Sequence, residues 1–231
     1  HGVPDLPFVE PDSVKAGLGM GGRQLLLSFG LVGPSKGYET VIETMPHVVR
    51  AVPNASYVIL GATHPELRRT EGERYRTQLE TLAADLGVSK HVVFIDRFVS
   101  QHELSRWLEA ADVFVTPYPN LDQIVSGTLS YAMAAGKATV STPYLYASEI
   151  LADGRGRLVP PGEPGAMGDA LIEVLQDHGL RAAMAQRAYL HGRSMLWSRV
   201  AADYERLFRR QQAAPREMAV LGLPAAAVQG A

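Results

Sequence analysis

The chain alternates between two rhythms of apolar residues. Short, nearly continuous apolar runs stand at "RQLLLSF" (23–29), "SYVILG" (56–61), "HVVFID" (91–96), "DVFVTP" (112–117) and "KATVST" (137–142), with a shorter one at "GRLVP" (156–160). Runs of this length and β-branched content predict strands buried on both faces, as in a parallel sheet. Between them the spacing turns helical. Residues 37–52 place Val41, Ile42, Val48 and Val49 on one face, although Pro46 is expected to kink or break that helix. A single charged helix is predicted over 65–86. In "SQHELSRWLEAA" (100–111), Ser100 stands three residues before Glu103 in capping-box spacing. An Ala-rich, nearly uncharged helix follows residues 126–128. Pro164 opens a helix with Met167, Ala170, Leu171, Val174 and Leu175 on one side. Helices over 180–191 and 196–210 complete the pattern. Strands alternating with helices predict an α/β fold, a Rossmann-like doubly wound parallel sheet, with ligands outside the carboxyl ends of the strands.

The two ends read differently. "HGVPDLPFVEPDSV" is Pro-rich and extended, so residues 1–22 are expected to be an interdomain linker ahead of a domain at 23–210. After about residue 210 the helical periodicity fades, and 211–231 reads as a mobile tail. The alternative is that its few apolar residues dock on a domain outside this chain.

Composition narrows the function without naming it. Of 231 residues, 46% are apolar and 20% charged, which suits one sizeable globular domain. A formal charge of −2 gives no general attraction to nucleic acid, and no apolar run is long enough to span a bilayer. There is no cysteine, so thiol catalysis and disulfides are excluded, and the seven histidines are dispersed without metal-ligand spacing. The "NAS" at Asn54 leads into an apolar strand and reads as chance. Gly17, Gly19 and Gly22 match G-x-G-x-x-G, but they precede the first strand, whereas a dinucleotide fingerprint must follow one.

The informative loops lie at the carboxyl ends of the strands. After the first comes "FGLVGPSKGYE", where Lys36 and Gly37 stand just before a helix. An ammonium beside a helix amino terminus makes an anion site. Lysine is scarce here, with four in the chain, although a solvated loop lysine is the plainer alternative. His64 stands at a helix entrance after the second strand. Arg97 follows the third strand, where it would serve either phosphate oxygens or a surface pair with Asp96 or Glu103. After the fourth strand, Ser126, Gly127 and Thr128 open the Ala-rich helix. Small and hydroxyl residues there let an anion reach the unpaired amides, while ordinary capping by Ser126 would explain the same residues.

Taken in order, Lys36-Gly37, "FVS" (98–100), "LEAADVFVTP", "AMAAGKATVSTP", Glu149 and "GRGRLVPPGEPGAMGDAL" make the chain resemble the carboxyl-terminal, donor-binding domain of GT-B retaining glycosyltransferases of family 4, the glycosyl transferases group 1. The resemblance covers roughly residues 23–178. It implies a half-molecule whose amino-terminal acceptor domain is absent. The partner would be a nucleotide-diphosphate sugar, and the activity transfer of a hexose to a glycan, lipid or small-molecule acceptor. The isolated half would be inactive. No metal or other cofactor is implied, because basic side chains and helix amides neutralise the departing diphosphate. By the same resemblance Lys36, Gly37 and the amides at Ser126, Gly127 and Thr128 are expected to bind diphosphate. Gln123 and Tyr131 stand at the positions that face the sugar and ribose, and Phe98 and Val99 line the base. Arg97, for the diphosphate, and His64 and Asp122, for the sugar and ribose, join these sets from their places on the neighbouring rim loops and not from the family pattern. The expected location is cytoplasmic, with peripheral association at the inner face of a membrane open through the missing half.

The chain departs from the family pattern at three places. Leu31 stands where Arg is usual, and Gln123 and Tyr131 stand where two Glu are usual, leaving Asp122 one place ahead. A neutral amide still hydrogen-bonds a sugar, but Tyr offers one hydroxyl where a carboxylate offers two acceptor oxygens. Arg97 and His64 on neighbouring loops are candidates to replace the lost charge. The departures also keep open a non-catalytic nucleotide-sugar-binding module, or a GT-B epimerase or phosphorylase.

Overall fold

A computed structural model describes residues 2–213. Six strands form one parallel sheet: β1 (Gln24–Phe29), β2 (Ala55–Leu60), β3 (Val92–Ile95), β4 (Val113–Thr116), β5 (Ala138–Ser141) and β6 (Gly156–Leu158). Their order is β3-β2-β1-β4-β5-β6, with every neighbouring pair parallel. β1 and β4 are adjacent although two strands separate them in sequence, so the winding reverses between them. In sheets of this kind the loops diverge at that point and leave a crevice above the strand ends.

The helices are α1 (Asp12–Lys15), α2 (Tyr38–Ala51), α3 (Pro65–Glu71), α4 (Arg74–Asp85), α5 (Gln101–Ala110), α6 (Gly127–Ala134), α7 (Leu145–Ile150), α8 (Pro164–Gln176), α9 (His178–Gly192) and α10 (Trp197–Ala213). Alternation along the strands builds two cores. Leu26, Tyr57, Ile59, Val113 and Val115 meet α2, α4 and α8 on one face. Leu25, Leu27, Val58, Leu60 and Phe114 meet α5, α6 and α7 on the other. Each fully buried aliphatic of this kind contributes about 1.5–3 kcal/mol of transfer free energy.

Four local expectations are corrected. α2 runs unbroken through Pro46. The missing Pro N–H removes one intrahelical bond, and Val41, Ile42, Met45 and Val48, all buried around it, hold the helix together. The charged helix over 65–86 is two helices, because Gly72 adopts φ +63° between α3 and α4. α7 is an additional helix of six residues between β5 and β6. Residues 2–22 are not uniformly extended. They include α1 and the short turn Ala16–Leu18, and Val3, Leu6, Val14 and Lys15 are buried against the domain. The expected tail over 211–231 falls almost wholly outside the described residues. α10 itself carries Trp197, Tyr204, Leu207 and Phe208 on a solvent-exposed stripe.

Candidate functional site

The crevice at the β1/β4 reversal is framed by three loops drawn together through their backbones. Gly30 N–H donates to Leu60 O at 3.0 Å, Val32 N–H to Ala62 O at 2.9 Å and His64 N–H to Val32 O at 2.9 Å, zipping the loop after β1 to the loop after β2. Gly61 makes the closest approach: with φ +144°, a Cβ there would lie 2.0 Å from Gly30 O. On the other side Gly37, at φ +65°, leaves room for Pro117 O, 2.2 Å from where its Cβ would stand. The turn Pro34–Lys36 thus meets the loop after β4 across the reversal.

Lys36 reaches into the space between them. Its Nζ lies 3.3 Å from Tyr118 Oη and 4.3 Å from the centroid of the Tyr118 ring. Tyr118 Oη is 2.8 Å from Thr128 Oγ1, which is 3.2 Å from Ser126 Oγ. Ser126 caps α6 by accepting from Leu129 N–H at 3.3 Å. The amides of Gly127 and Thr128 precede the first intrahelical bond, so α6 itself cannot pair them. Among the described residues, no carboxylate lies within ion-pair distance of Lys36. An open groove of about 630 Å³ runs past Gly30, Leu31, Lys36, His64 and Thr128. Its one lining acid, Glu66, is paired with Arg69 at 2.6 Å.

The other sequence candidates divide around this centre. His64 is on the groove wall, where its Nδ1 caps α3 by accepting from Glu66 N–H at 3.3 Å. Arg97, Phe98 and Val99 line an adjoining cleft of about 220 Å³ that shares Gly30 and Leu31 with the groove. The structure does not bring Arg97 to Lys36. Both guanidinium arms close on Glu103, at 2.8 and 2.5 Å, and Asp96 pairs with Arg76 instead. That bidentate pair holds Glu103 below the usual carboxylate range and raises Arg97. It also explains the capping-box spacing by halves. Ser100 accepts from Glu103 N–H, while the Glu103 carboxylate serves Arg97.

Asp122 and Gln123 ride on a loop that lines neither cleft. Asp122 N–H donates to Asn120 Oδ1, Gln123 Nε2 donates to Val125 O, and Ile124 and Val125 are exposed at its tip. Tyr131 stands one turn below Thr128 on α6, with its ring edge-on to Phe29, which borders the smaller cleft. Glu149 is exposed on α7.

Tyr118 and Tyr144, which the sequence did not single out, organise this edge. Both follow a strand in the same tripeptide, Thr116-Pro117-Tyr118 and Thr142-Pro143-Tyr144, and that repeat is the signal that could have found them. Their rings stack at 5.1 Å between centroids and 20° between planes. Thr142 Oγ1 donates to Tyr118 O at 2.6 Å, and Tyr144 Oη donates to Thr116 Oγ1 at 3.3 Å. Burial pushes the Tyr144 phenol up to about 12, so it remains a neutral hydroxyl near pH 7.

A separate cavity of about 360 Å³ opens at the opposite, amino-terminal edge of the sheet, between residues 8–12 and α9. Its cations are already engaged. Lys137 donates to the carbonyls of Glu109 and Ala111, and Arg181 to those of Val174 and Leu175.

The profile of the family described as "Glycosyl transferases group 1" matches residues 13–191. A phosphatidyl-myo-inositol mannosyltransferase of Mycolicibacterium smegmatis is 29% identical over 202 residues, covering 87% of this chain and 48% of that protein. A GDP-mannose-dependent alpha-(1-6)-phosphatidylinositol monomannoside mannosyltransferase of the same organism is 30% identical over 184 residues, covering 76% and 45%. The chain spans about half the length of these curated relatives. Among solved structures, sucrose-phosphate synthase of Thermosynechococcus elongatus superposes with a TM-score of 0.78 at 22% identity, over 92% of this chain and 52% of that one. The C-terminal domain of a glycosyl transferase group 1 family protein of Francisella tularensis gives 0.70 at 22% identity, over 82% and 96%. Anabaena HepE in complex with UDP and glucose gives 0.77 at 17% identity, over 92% and 55%. At these identities the likeness carries the fold.

Proposed function

The chain belongs to the glycosyl transferases group 1 family, and we propose that it is the donor-binding half of a retaining GT-B enzyme that moves a hexose from a nucleotide-diphosphate sugar to an acceptor. The observation that carries this reading is the Lys36 ammonium. It has no acid partner among the described residues, and it shares one groove with Thr128, in the first turn of α6. Such a constellation suits a pyrophosphate, whose charge grows when the sugar leaves. In the transfer, the bond from the anomeric carbon to the β-phosphate oxygen breaks and its electron pair leaves with the diphosphate. The acceptor oxygen bonds the anomeric carbon on the same face, and its proton goes to the diphosphate. Lys36 and the α6 amides stabilise the departing anion, a role that asks for no metal.

The apolar cleft beside Phe98 and Val99 would take the base, with Arg97 at its rim. His64 and Tyr131 would flank the ribose side, whereas the loop bearing Asp122 and Gln123 lines neither cleft and would meet the sugar only from outside the groove. The names of the relatives favour a hexose donor, one of them being GDP-mannose-dependent, and the Anabaena structures hold UDP, glucose or UDP-glucose. The acceptor would be bound by a second domain. A non-catalytic nucleotide-sugar-binding module is the second reading, favoured by Leu31 at the family's Arg position and by the Gln123 amide being turned to its own loop. Full-length protein that binds donor yet neither transfers nor hydrolyses the sugar would support it.

A thermal-shift panel of UDP, GDP, ADP and CMP tests the site, since a ligand stabilises by its excess over its dissociation constant. One nucleoside diphosphate is expected to stand out. Lys36→Ala should weaken that nucleotide about tenfold or more, the worth of a charge-assisted bond, and leave the nucleoside nearly unchanged. Equal losses for both would remove the phosphate role, and no stabilisation by any nucleotide would remove the site.

A further inference from the structure

We propose that Tyr118 is a positioning residue that fuses Lys36 and Thr128 into one anion site and fixes the direction in which their protons point. This rests on the donor-binding reading above. An ammonium can only donate, so in the 3.3 Å contact Lys36 Nζ–H donates the hydrogen bond and Tyr118 Oη accepts it. The phenol proton then has Thr128 Oγ1, 2.8 Å away, as its partner. Thr128 accepts there, which turns its own hydrogen toward Ser126 Oγ at 3.2 Å or toward a ligand in the groove. Ser126 Oγ already accepts from Leu129 N–H, so an anion is the stronger claimant for the Thr128 proton. The chain therefore runs one way, from cation to phenol to hydroxyl, and ends on a donor.

Tyr118 can hold this direction because it cannot move. It is 3% exposed, stacked on Tyr144 at 5.1 Å, and its own carbonyl is held by Thr142 Oγ1 at 2.6 Å. Lys36, by contrast, sits on a half-exposed turn with four rotatable bonds. The face of the Tyr118 ring, 4.3 Å from Nζ, holds the ammonium without neutralising it, as a carboxylate would. Cation–π contact and hydroxyl together pre-order a side chain that would otherwise lose rotamer freedom on binding.

The experiment is a mutant cycle on the nucleoside diphosphate that binds best, with its nucleoside and inorganic pyrophosphate as companion probes. Tyr118→Phe keeps the ring and its stacking and removes the hydroxyl. Affinity for the diphosphate and for pyrophosphate should fall about three- to tenfold, the worth of one lost neutral hydrogen bond, with nucleoside affinity unchanged. In a Lys36→Ala background the same change should cost less than twofold, because most of what Tyr118 does passes through the ammonium. Wild-type binding that Tyr118→Phe leaves intact, or equal losses in both backgrounds, would overturn the positioning role and leave the donor site standing. Equal losses of nucleoside and diphosphate would mark a structural defect and overturn it too. Failure of the wild type to bind any of the probes would remove both the role and the site.

Discussion

Gly61 shows at the residue scale how much of this edge depends on a missing methyl group. Its φ of +144° lies where L side chains rarely go, and an added Cβ would meet the backbone oxygen of Gly30 at 2.0 Å. Backbone cannot swing aside as a flexible side chain can. Gly61→Ala is expected to destabilise the chain by about 2–4 kcal/mol and to weaken nucleotide binding, since the loops framing both clefts must part. Urea unfolding measures the first effect; a loss under 0.5 kcal/mol would show that the loops yield freely. Arg97 makes the opposite point, that a charge in the right place can already be spent. A ligand would have to displace Glu103 to win both guanidinium arms, exchanging one bidentate pair for another. Arg97→Ala is thus expected to lower nucleoside-diphosphate affinity less than Lys36→Ala does. A loss as large as that of Lys36→Ala in calorimetric titration would mean that the pair opens on binding.

At the scale of elements, what the sequence disclosed follows what each element buries. β1 to β5 were readable because each is a compact apolar run, β6 only as a short edge strand before Val159, and α5 because Ser100 and an apolar face marked it. The split between α3 and α4 was hidden because both halves are charged, and Gly72 alone gives no sign of its φ. α7 is too short to show a period. The meeting of Lys36 with residues 126–128 followed from topology, since both loops leave strands that flank the reversal. Tyr118 did not follow, because an aromatic after a strand looks like core until its hydroxyl is placed. The entry to β5 carries a prediction of its own. Lys137 is buried under α5, and burial pushes its pKa down to about 8, against about 10.5 in the open chain. Between those values the unfolded chain binds the proton more readily than the folded one, so stability linked to Lys137 increases as pH rises from about 8 to about 10.5 and is lost as pH falls through about 8. Lys137→Met should cost about 1–3 kcal/mol by leaving the carbonyls of Glu109 and Ala111 unpaired, and it should abolish that slope. The melting temperature of the native chain should therefore pull away from that of the variant across this window. A constant gap would contradict the assignment.

At the scale of the whole molecule, the groove at Lys36 and the amino-terminal segment occupy opposite edges of the sheet, and a buried ion pair fixes the second edge. Lys15 Nζ lies 2.7 Å from Asp112 Oδ2 and 2.7 Å from Asp12 Oδ1, and both Lys15 and Asp112 are buried. Asp112 Oδ2 also accepts from Leu25 N–H at 2.6 Å, so one carboxylate joins α1 to the entries of β4 and β1. Further along, Val3 N–H donates to Met195 O and Val3 O accepts from Trp197 N–H, which stitches the segment to the start of α10. Residues 3–15 are consequently held against the domain at that edge, away from the groove. Lys15→Met removes one partner of a buried pair and strands Asp112, a change that costs about 3–5 kcal/mol in comparable settings. Most of that loss should appear as local release of α1, because the groove lies across the sheet and shares no contact with Lys15. In native-state proteolysis, cleavage within residues 9–22 should speed up by tenfold or more in the variant, while the thermal shift given by the preferred nucleotide stays within error of the native value. Unchanged cleavage would show that the stitch at Val3 holds the segment without the ion pair. A lost nucleotide response would show that the two edges are coupled through the strands between them.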